Sequence, residues 1–433
     1  MNRTDQATEV SSRREFLQES TATLAAAAVA PYLSPLRAHV SGSDLIKVGL
    51  IGCGGRGTGA AVNALKADPN VRLVAMADAF TDYLEGSLAS LKNNPEIASK
   101  VAVDSERKFV GFDSYKGVIE SCDVVLLCTS PHFRPQHVKA AVDAGRHLFV
   151  EKPVAVDGPG VRSVRESCTK ARDKGLIVVS GLCYRYERAK RETLKRIHDG
   201  AIGDIVAMQC SYNTGGLWHR GRQSGWSDME FQMRNWLYFN WLSGDHIAEQ
   251  HIHSLDKLAW AMKDENPVRC TSSGGRVCRT SPDYGNVYDH FNTVYEWKNG
   301  VKGFSSCRQW VGAAADVSDH CFGTQGVAHI QTHEIEGRSA WRLRRRPEEE
   351  DDMYQNEHDE MFAAIRERRP INNGEYMCNS TLMAIMGRMA AYTGQTITWE
   401  QALSSTEDLT PSSYQWGPLP VAPVAVPGVT KFL

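Results

Sequence analysis

Residues 46–67 place the tightest limit on the fold. An apolar run, Ile46-Lys47-Val48-Gly49-Leu50-Ile51, leads directly into Gly52-Cys53-Gly54-Gly55-Arg56-Gly57, and a helix-like stretch follows over 58–67. A short apolar run without polar alternation reads as a strand buried on both faces. Glycines spaced Gly-x-Gly-x-x-Gly between a strand and a helix each have a separate task. The first makes the tight turn, the second lets a diphosphate approach the backbone, and the third lets helix and strand pack closely. The helix N-terminus then faces the phosphates. Gly52, Gly54, Gly55, Arg56 and Gly57 are therefore the expected cradle of a dinucleotide. A second strand over 71–77 ends at Asp78, 21 residues past Gly57. A carboxylate there accepts hydrogen bonds from adenosine ribose hydroxyls and repels a 2′-phosphate. The predicted cofactor is NAD in preference to NADP.

Further apolar runs over 123–128, 147–150 and 176–180 are separated by helix-length segments. That rhythm predicts right-handed β-α-β crossovers and a doubly wound parallel sheet. After about residue 185 the strands lengthen and alternate, over 205–212, 288–297 and 303–309, with Lys298-Asn299-Gly300 as a turn. This half reads as an α+β domain with an antiparallel sheet. A chain of 433 residues exceeds one ordinary core. The predicted division is a leader and linker over 1–42, a Rossmann domain over 43–165, a second domain over 166–409, and a proline-rich arm over 410–433. The arm is expected to lie on its own domain or on a neighbouring subunit.

With 49 basic and 51 acidic residues the formal charge is −2, which gives no global field for nucleic acid or anionic lipid. The basic run 342–346 is followed by acidic residues over 348–352 and reads as a self-compensating solvated segment. Eleven cysteines include no Cys-x-x-Cys pair, which predicts buried thiols with no disulfide frame and no thiolate metal site. The leader carries Ser12-Arg13-Arg14-Glu15-Phe16-Leu17, then an alanine-rich stretch over 22–33, with Leu36-Arg37-Ala38 as a cleavage neighbourhood. This pattern is a twin-arginine signal, and the competing reading is a frayed leader with two chance arginines. Twin-arginine export moves folded proteins, often with cofactor already bound, which reconciles export with the thiols. The expected location is periplasmic or extracytoplasmic, with the signal removed or kept as an anchor and no other membrane contact.

Glu151-Lys152-Pro153 follows the strand at 147–150, at the sheet edge where ligands bind. Lys152 there can donate to a substrate oxygen or shuttle a proton. A surface lysine capping a helix is the alternative. The densest polar cluster is Gly244-Asp245-His246-Ile247-Ala248-Glu249-Gln250-His251-Ile252-His253-Ser254-Leu255-Asp256. Read as one helix continuing to Met262, it puts Ile247, His251, Leu255, Leu258 and Met262 on the core face. Asp245, Glu249 and His253 share another stripe, so Glu249 is expected to orient His253 as a general base. Asp245 and His246 join the expected substrate contacts. In a helix His251 and His253 point apart, and no His-Glu-x-x-His spacing occurs, so no metal is expected.

These segments resemble the glucose–fructose oxidoreductase / inositol dehydrogenase / MocA family. The matching pieces are the glycine fingerprint, Thr129-Ser130-Pro131-His132-Phe133-Arg134-Pro135-Gln136-His137, Glu151-Lys152-Pro153, the 244–256 segment, Tyr184-Arg185-Tyr186, and a helix over 354–365. The resemblance implies a Rossmann domain, a second domain with a large, mainly antiparallel open sheet used for oligomerisation, and NAD(P)-dependent redox chemistry on sugars, inositols and polyols. It adds Ser130, Pro131, His132, His137 and Glu151 to the cofactor contacts, and Tyr184 and Arg185 to the substrate contacts. Its lysine falls on Lys152 and its histidine on His253. Where the family often has Asp-x-Gly-x-His, this chain has Glu249-Gln250-His251-Ile252-His253.

Residues 213–240 form a long insert with Trp218, His219, Arg220, Trp226, Arg234 and Trp236. Flat aromatic faces and polar donors suit a carbohydrate subsite, and Trp218, His219 and Arg234 are expected there. An aromatic packing loop is the other reading. The expected function is hydride transfer between a tightly held NAD and a sugar-like polyol, with a dimer or tetramer as the assembly. The alternatives are NAD-dependent glycoside hydrolysis or elimination through transient oxidation, and a non-catalytic carbohydrate-binding protein on the same fold.

Overall fold

The computed structural model describes residues 44–344 and 350–433. The segment expected to be a twin-arginine leader and the middle of the basic-to-acidic run lie outside the described residues. The first sheet has six parallel strands: β1 (Ile46–Ile51), β2 (Val71–Asp78), β3 (Lys108–Val110), β4 (Val124–Leu127), β5 (His147–Val150) and β6 (Val178–Ser180). Their order is β3-β2-β1-β4-β5-β6. Helices α1 (Gly55–Ala67), α2 (Thr81–Lys92), α3 (Tyr115–Ser121), α4 (Arg134–Asp143) and α5 (Gly158–Asp173) make the crossovers. Every residue of β4 is buried, as a strand covered on both faces requires. The order reverses between β1 and β4, so a crevice opens at the carboxyl ends of those strands, where the glycine loop sits. This is the doubly wound sheet expected from the sequence. Its last strand is β6, so the sheet runs past the predicted boundary at 165. Val178–Ser180 pairs with β5 and cannot be assigned to the second domain.

The second sheet has nine strands in the order β14-β13-β12-β11-β7-β10-β9-β8-β15. They are β7 (Ile205–Thr214), β8 (Arg269–Gly275), β9 (His290–Glu296), β10 (Lys302–Gln309), β11 (Asp316–Gly323), β12 (Gly326–His329), β13 (Glu334–Gly337), β14 (Trp341–Arg342) and β15 (Ile397–Thr398). Only the β7–β10 pair is parallel, so the sheet is mainly antiparallel. Met208, Cys210, Phe291, Tyr295, Cys307 and Cys321 form its buried face. The opposite face leaves Val206, Phe304 and Phe322 exposed. All eleven cysteines are free.

Helices α6 (Arg188–His198), α7 (Asp228–Arg234), α8 (Asn240–Ser243), α9 (His246–Glu249), α10 (Ile252–Ala261), α11 (Met353–Glu367), α12 (Gly374–Thr393) and α13 (Trp399–Ser404) complete the fold. Helix α12 is buried almost all round and joins the two cores, which explains its lack of an apolar stripe. Helix α11 packs on α1, the helix that opens the glycine loop. The proline-rich arm lies on its own chain. Leu433 O accepts from Thr406 N and Ser405 Oγ, and Gly428 N donates to Thr393 O. Among the described residues no helix is long and apolar enough to cross a membrane.

Candidate active site

Gly52 has φ +97°, and a Cβ there would meet the backbone of Cys128 and Thr129. A Cβ on Gly57 would strike Gly52 O. Only glycine fits either position. A Cβ on Gly54 or Gly55 meets nothing within 4 Å, because both face open space. The loop thus presents bare backbone to a cleft at the start of a 13-residue helix with no side-chain cap and no acid in its first turn. That is the cradle a diphosphate needs. Asp78 ends β2 beside it, with Oδ2 accepting from Cys53 N at 2.7 Å and Oδ1 from Phe80 N at 2.9 Å. Burial raises its pKa. These residues fit a nicotinamide dinucleotide.

The cleft is about 780 Å³. The glycine loop, Asp78, Ser130, His137, Glu151 and Lys152 line one wall, and Trp218, Glu249, Gln250 and His253 line the other. Arg56 bridges Glu151 Oε1 at 2.5 Å and Glu357 Oε1 at 2.9 Å, and lies over the Tyr354 ring. Burial alone would raise the Glu151 pKa, but Arg56, Lys152 and Arg134 hold it below the ordinary value. Glu357, equally buried, is raised. Arg56 thereby staples the glycine loop to β5 and α11. Arg134 is buried and donates to Pro153 O and to Thr129 O, fixing the loops after β4 and β5 against each other. His137 sits in the same wall, its pKa pushed down to about 3 by burial, with Arg134 next in importance.

Lys152 Nζ donates to Glu249 O at 2.5 Å and to Glu249 Oε1 at 3.2 Å. His253 meets the edge of the Tyr184 ring at 5.2 Å. Its Nδ1 is buried and makes no hydrogen bond to a described residue, and burial lowers its pKa well below 6.5, with Lys152, Lys257 and Arg56 adding to the effect. The expected Glu249–His253 contact is absent. The 244–262 segment is two helices with a break at Gln250-His251, and His251 N donates to His246 O, five residues back. The four-residue stripe is lost there, and the Glu249 carboxylate turns to Lys152. His251 is core, as predicted, with Nε2 2.6 Å from Ser305 Oγ.

Several predicted contacts lie elsewhere. Asp245 is fully buried, and its carboxylate accepts from His246 N, Tyr288 N and Tyr392 OH, so Asp245 and His246 are packing residues. Arg185 is buried against Asp256 and Asp264 and does not line the cleft. Tyr184 lines a separate depression, its ring under Lys190 and Lys257. His219 packs among Phe231, Tyr238 and Tyr284, with Nε2 donating to Asp283 O. Arg234 pairs with Asp82 and Glu230. Pro131 and His132 are buried beside the cleft, and His132 Nε2 lies 2.7 Å from Tyr414 OH in the arm. Of the insert's predicted contacts, Trp218 alone lines the cleft. Phe80, Tyr83, Phe112, Tyr212, Arg220, Met233, Trp236 and Gln250 also line it and were not predicted. The aromatic density of the insert was the available signal for Trp236. Nothing local marked Phe80 or Phe112. Among the described residues no group of three or more His, Cys, Asp or Glu is placed to hold a metal.

Residues 46–182 match the family model described as an oxidoreductase family with an NAD-binding Rossmann fold, and residues 191–329 match its GFO/IDH/MocA C-terminal domain. The chain belongs to the Gfo/Idh/MocA family of oxidoreductases. A levoglucosan dehydrogenase of Pseudarthrobacter phenanthrenivorans is 30% identical to this Gfo/Idh/MocA chain over 59% of it and 64% of the relative. A 2,7-anhydro-N-acetylneuraminate hydratase of Escherichia coli K12 is 25% identical over 56% of the chain and 61% of the relative. The chain therefore spans about three fifths of the length of these curated relatives. The crystal structure of scyllo-inositol dehydrogenase from Lactobacillus casei with NAD(H) and scyllo-inositol superposes with a TM-score of 0.62 at 15% identity, covering 82% of this chain and 99% of that one. At that identity the likeness is one of fold.

Proposed function

We propose that this Gfo/Idh/MocA protein is an NAD-dependent dehydrogenase of a sugar, inositol or related polyol. The carrying observation is that one cleft is lined by the bare glycine loop and Asp78 and also by Lys152, Glu249 and His253. When bound, the nicotinamide supplies the hydride acceptor or donor. The protein's own groups do the rest. His253, kept neutral by burial, accepts the hydroxyl proton. Lys152, held by Glu249, donates to the reacting oxygen and steadies the charge that grows there. Trp218 offers an apolar face to the C–H surface of a ring.

The test is purification of the protein, identification of any nucleotide released on denaturation, and a carbohydrate and polyol panel monitored for reduced-nicotinamide absorbance. No reduction of NAD with any member sinks the reading. A second reading, transient oxidation followed by elimination or hydration with net redox balance, is favoured by the relative named a hydratase. Product formed without reduced nicotinamide accumulating would select it.

The leader at Ser12-Arg13-Arg14-Glu15-Phe16-Leu17 supports export by the twin-arginine route. Outside the cytoplasm no NAD pool is replenished, so the cofactor would stay bound through the catalytic cycle and be recycled by a second substrate. The exposed face of the second sheet, with Val206, Phe304 and Phe322, supports a homo-oligomer.

A further inference from the structure

Behind the cleft two buried side chains, Arg279 and Gln309, lead to the half-buried Gln250 at the cleft wall. Arg279 is 7% exposed, and its guanidinium donates from Nη1 to Gln309 Oε1 at 2.5 Å and from Nη2 to Tyr288 O at 2.5 Å. A guanidinium has donors only, so the Gln309 amide oxygen must face it. The Gln309 amide nitrogen must then point the other way, and it donates to Gln250 Oε1 at 2.8 Å. With its oxygen taken, Gln250 has one free end, its NH2. That end makes no hydrogen bond to a described residue, and Gln250 lines the cleft directly after Glu249, which holds Lys152. Gln309 is 3% exposed and its own N–H is fixed on Asp289 O, so the relay has no slack for reversal.

We propose that Gln250 is a specificity-determining residue that presents a hydrogen-bond donor, polarised in one direction by Arg279 through Gln309, to an acceptor oxygen of the substrate beside the reacting one. Gln309 and Arg279 are positioning residues. The inference rests on the dehydrogenase reading for the identity of the ligand, but not for the direction of the relay. A substrate with an oxygen at that place pairs with the amide. A deoxy analogue leaves a desolvated N–H unpaired and binds about tenfold to a hundredfold more weakly.

The sharpest test is Gln309→Glu in the holoenzyme. The introduced carboxylate accepts from Arg279 and can only accept from Gln250, so the Gln250 amide turns over and shows its oxygen to the cleft. Gln250→Glu reaches the same end at a half-exposed position, without disturbing the buried pair. For the best substrate of the panel, both variants are expected to raise KM about tenfold while kcat changes less than about threefold. Both should also lose the preference for that substrate over its deoxy analogue. An unchanged KM in both, or a fall in kcat alone, overturns the proposal. Neutron diffraction on deuterated crystals of wild type and Gln309→Glu reads the amide direction without any substrate. Deuterons of Gln250 facing the cleft in wild type and residue 309 in the variant support it, and the reverse orientation in wild type overturns it. If no sugar or polyol is turned over but the neutron result holds, the dehydrogenase reading fails and the relay stands.

Discussion

Arg234 in the insert grips Asp82 in the first turn of α2, its Nη1 and Nη2 donating to the two carboxylate oxygens at 2.9 and 3.1 Å. The same guanidinium lies 4.0 Å from the Phe80 ring centroid. Phe80 and Asp82 line the end of the cleft nearest Asp78. The C-terminal arm reinforces this, with Trp416 packed on both Phe80 and Phe112. The insert and the arm, remote in sequence, thus converge on the loops that would hold the adenosine.

If the cofactor is retained, that clasp should slow its escape. Asp82 is more than half exposed, so the ion pair alone contributes little, about 1 kcal/mol or less. The flat stacking on Phe80 adds about as much again. Arg234→Ala is therefore expected to speed nucleotide release about tenfold, measured by displacement of a fluorescent nucleotide analogue. Arg234→Lys keeps the charge but neither the fork nor the plane, and should resemble the alanine variant more than wild type. Equal release rates in all three would mean that the clasp has no hold on the nucleotide.

Among the described residues Lys152 makes its side-chain hydrogen bonds to Glu249 alone, so its removal should spare the fold. Lys152→Met is expected to lower kcat/KM by about 10² to 10⁴ while the melting temperature and nucleotide content hold. A proportional loss of bound nucleotide would instead make Lys152 a cofactor-binding residue only.

The pH profile separates His253 from an ordinary histidine. Burial depresses its pKa, so the neutral, proton-accepting form persists to lower pH than the usual 6.5. Activity that needs neutral His253 is then lost only as pH falls well below that value. The expected kcat/KM profile shows no inflection near 6.5 on its acid side. His253→Gln should remove whatever acid limb appears at lower pH, along with most of the rate. An inflection at 6.5 that survives in His253→Gln would assign it to another group.

Much of this was legible because it was local. The glycine loop, Asp78 and Lys152 are each fixed by their own strand and turn, and the sequence pattern around them is enough to place them. The Gln250-His251 break was not legible. Periodicity continues across it, while the His251 ring is held in the core by Ser305 of a strand distant in sequence, which no local pattern reveals. Arg185 and Asp245 were misread for a related reason. Their partners, Asp256, Asp264, Tyr288 and Tyr392, come from distant segments, and a polar residue looks the same in sequence whether it meets a ligand or a buried neighbour. The extent of the Rossmann sheet turned on β6, which is three residues long.

Arg185 gives the clearest stability test. Its Nε lies 3.0 Å from both Asp256 oxygens, its Nη2 is 2.8 Å from Asp256 Oδ1, and the pair is 8% and 1% exposed. Asp256 also accepts from Ser380 Oγ at 2.7 Å, so its charge is held from two sides. Removing the guanidinium leaves a buried carboxylate with one hydroxyl donor. Arg185→Met should cost about 3–5 kcal/mol in urea denaturation. Arg185→Met combined with Asp256→Asn removes both charges and should cost less than Arg185→Met alone. The contrast with a substrate contact is direct. Per folded, nucleotide-loaded molecule, Arg185→Met should keep KM within about threefold of wild type, since no ligand touches a guanidinium enclosed by Asp256, Asp264 and Tyr376. A large rise in KM with unchanged stability would return Arg185 to the cleft.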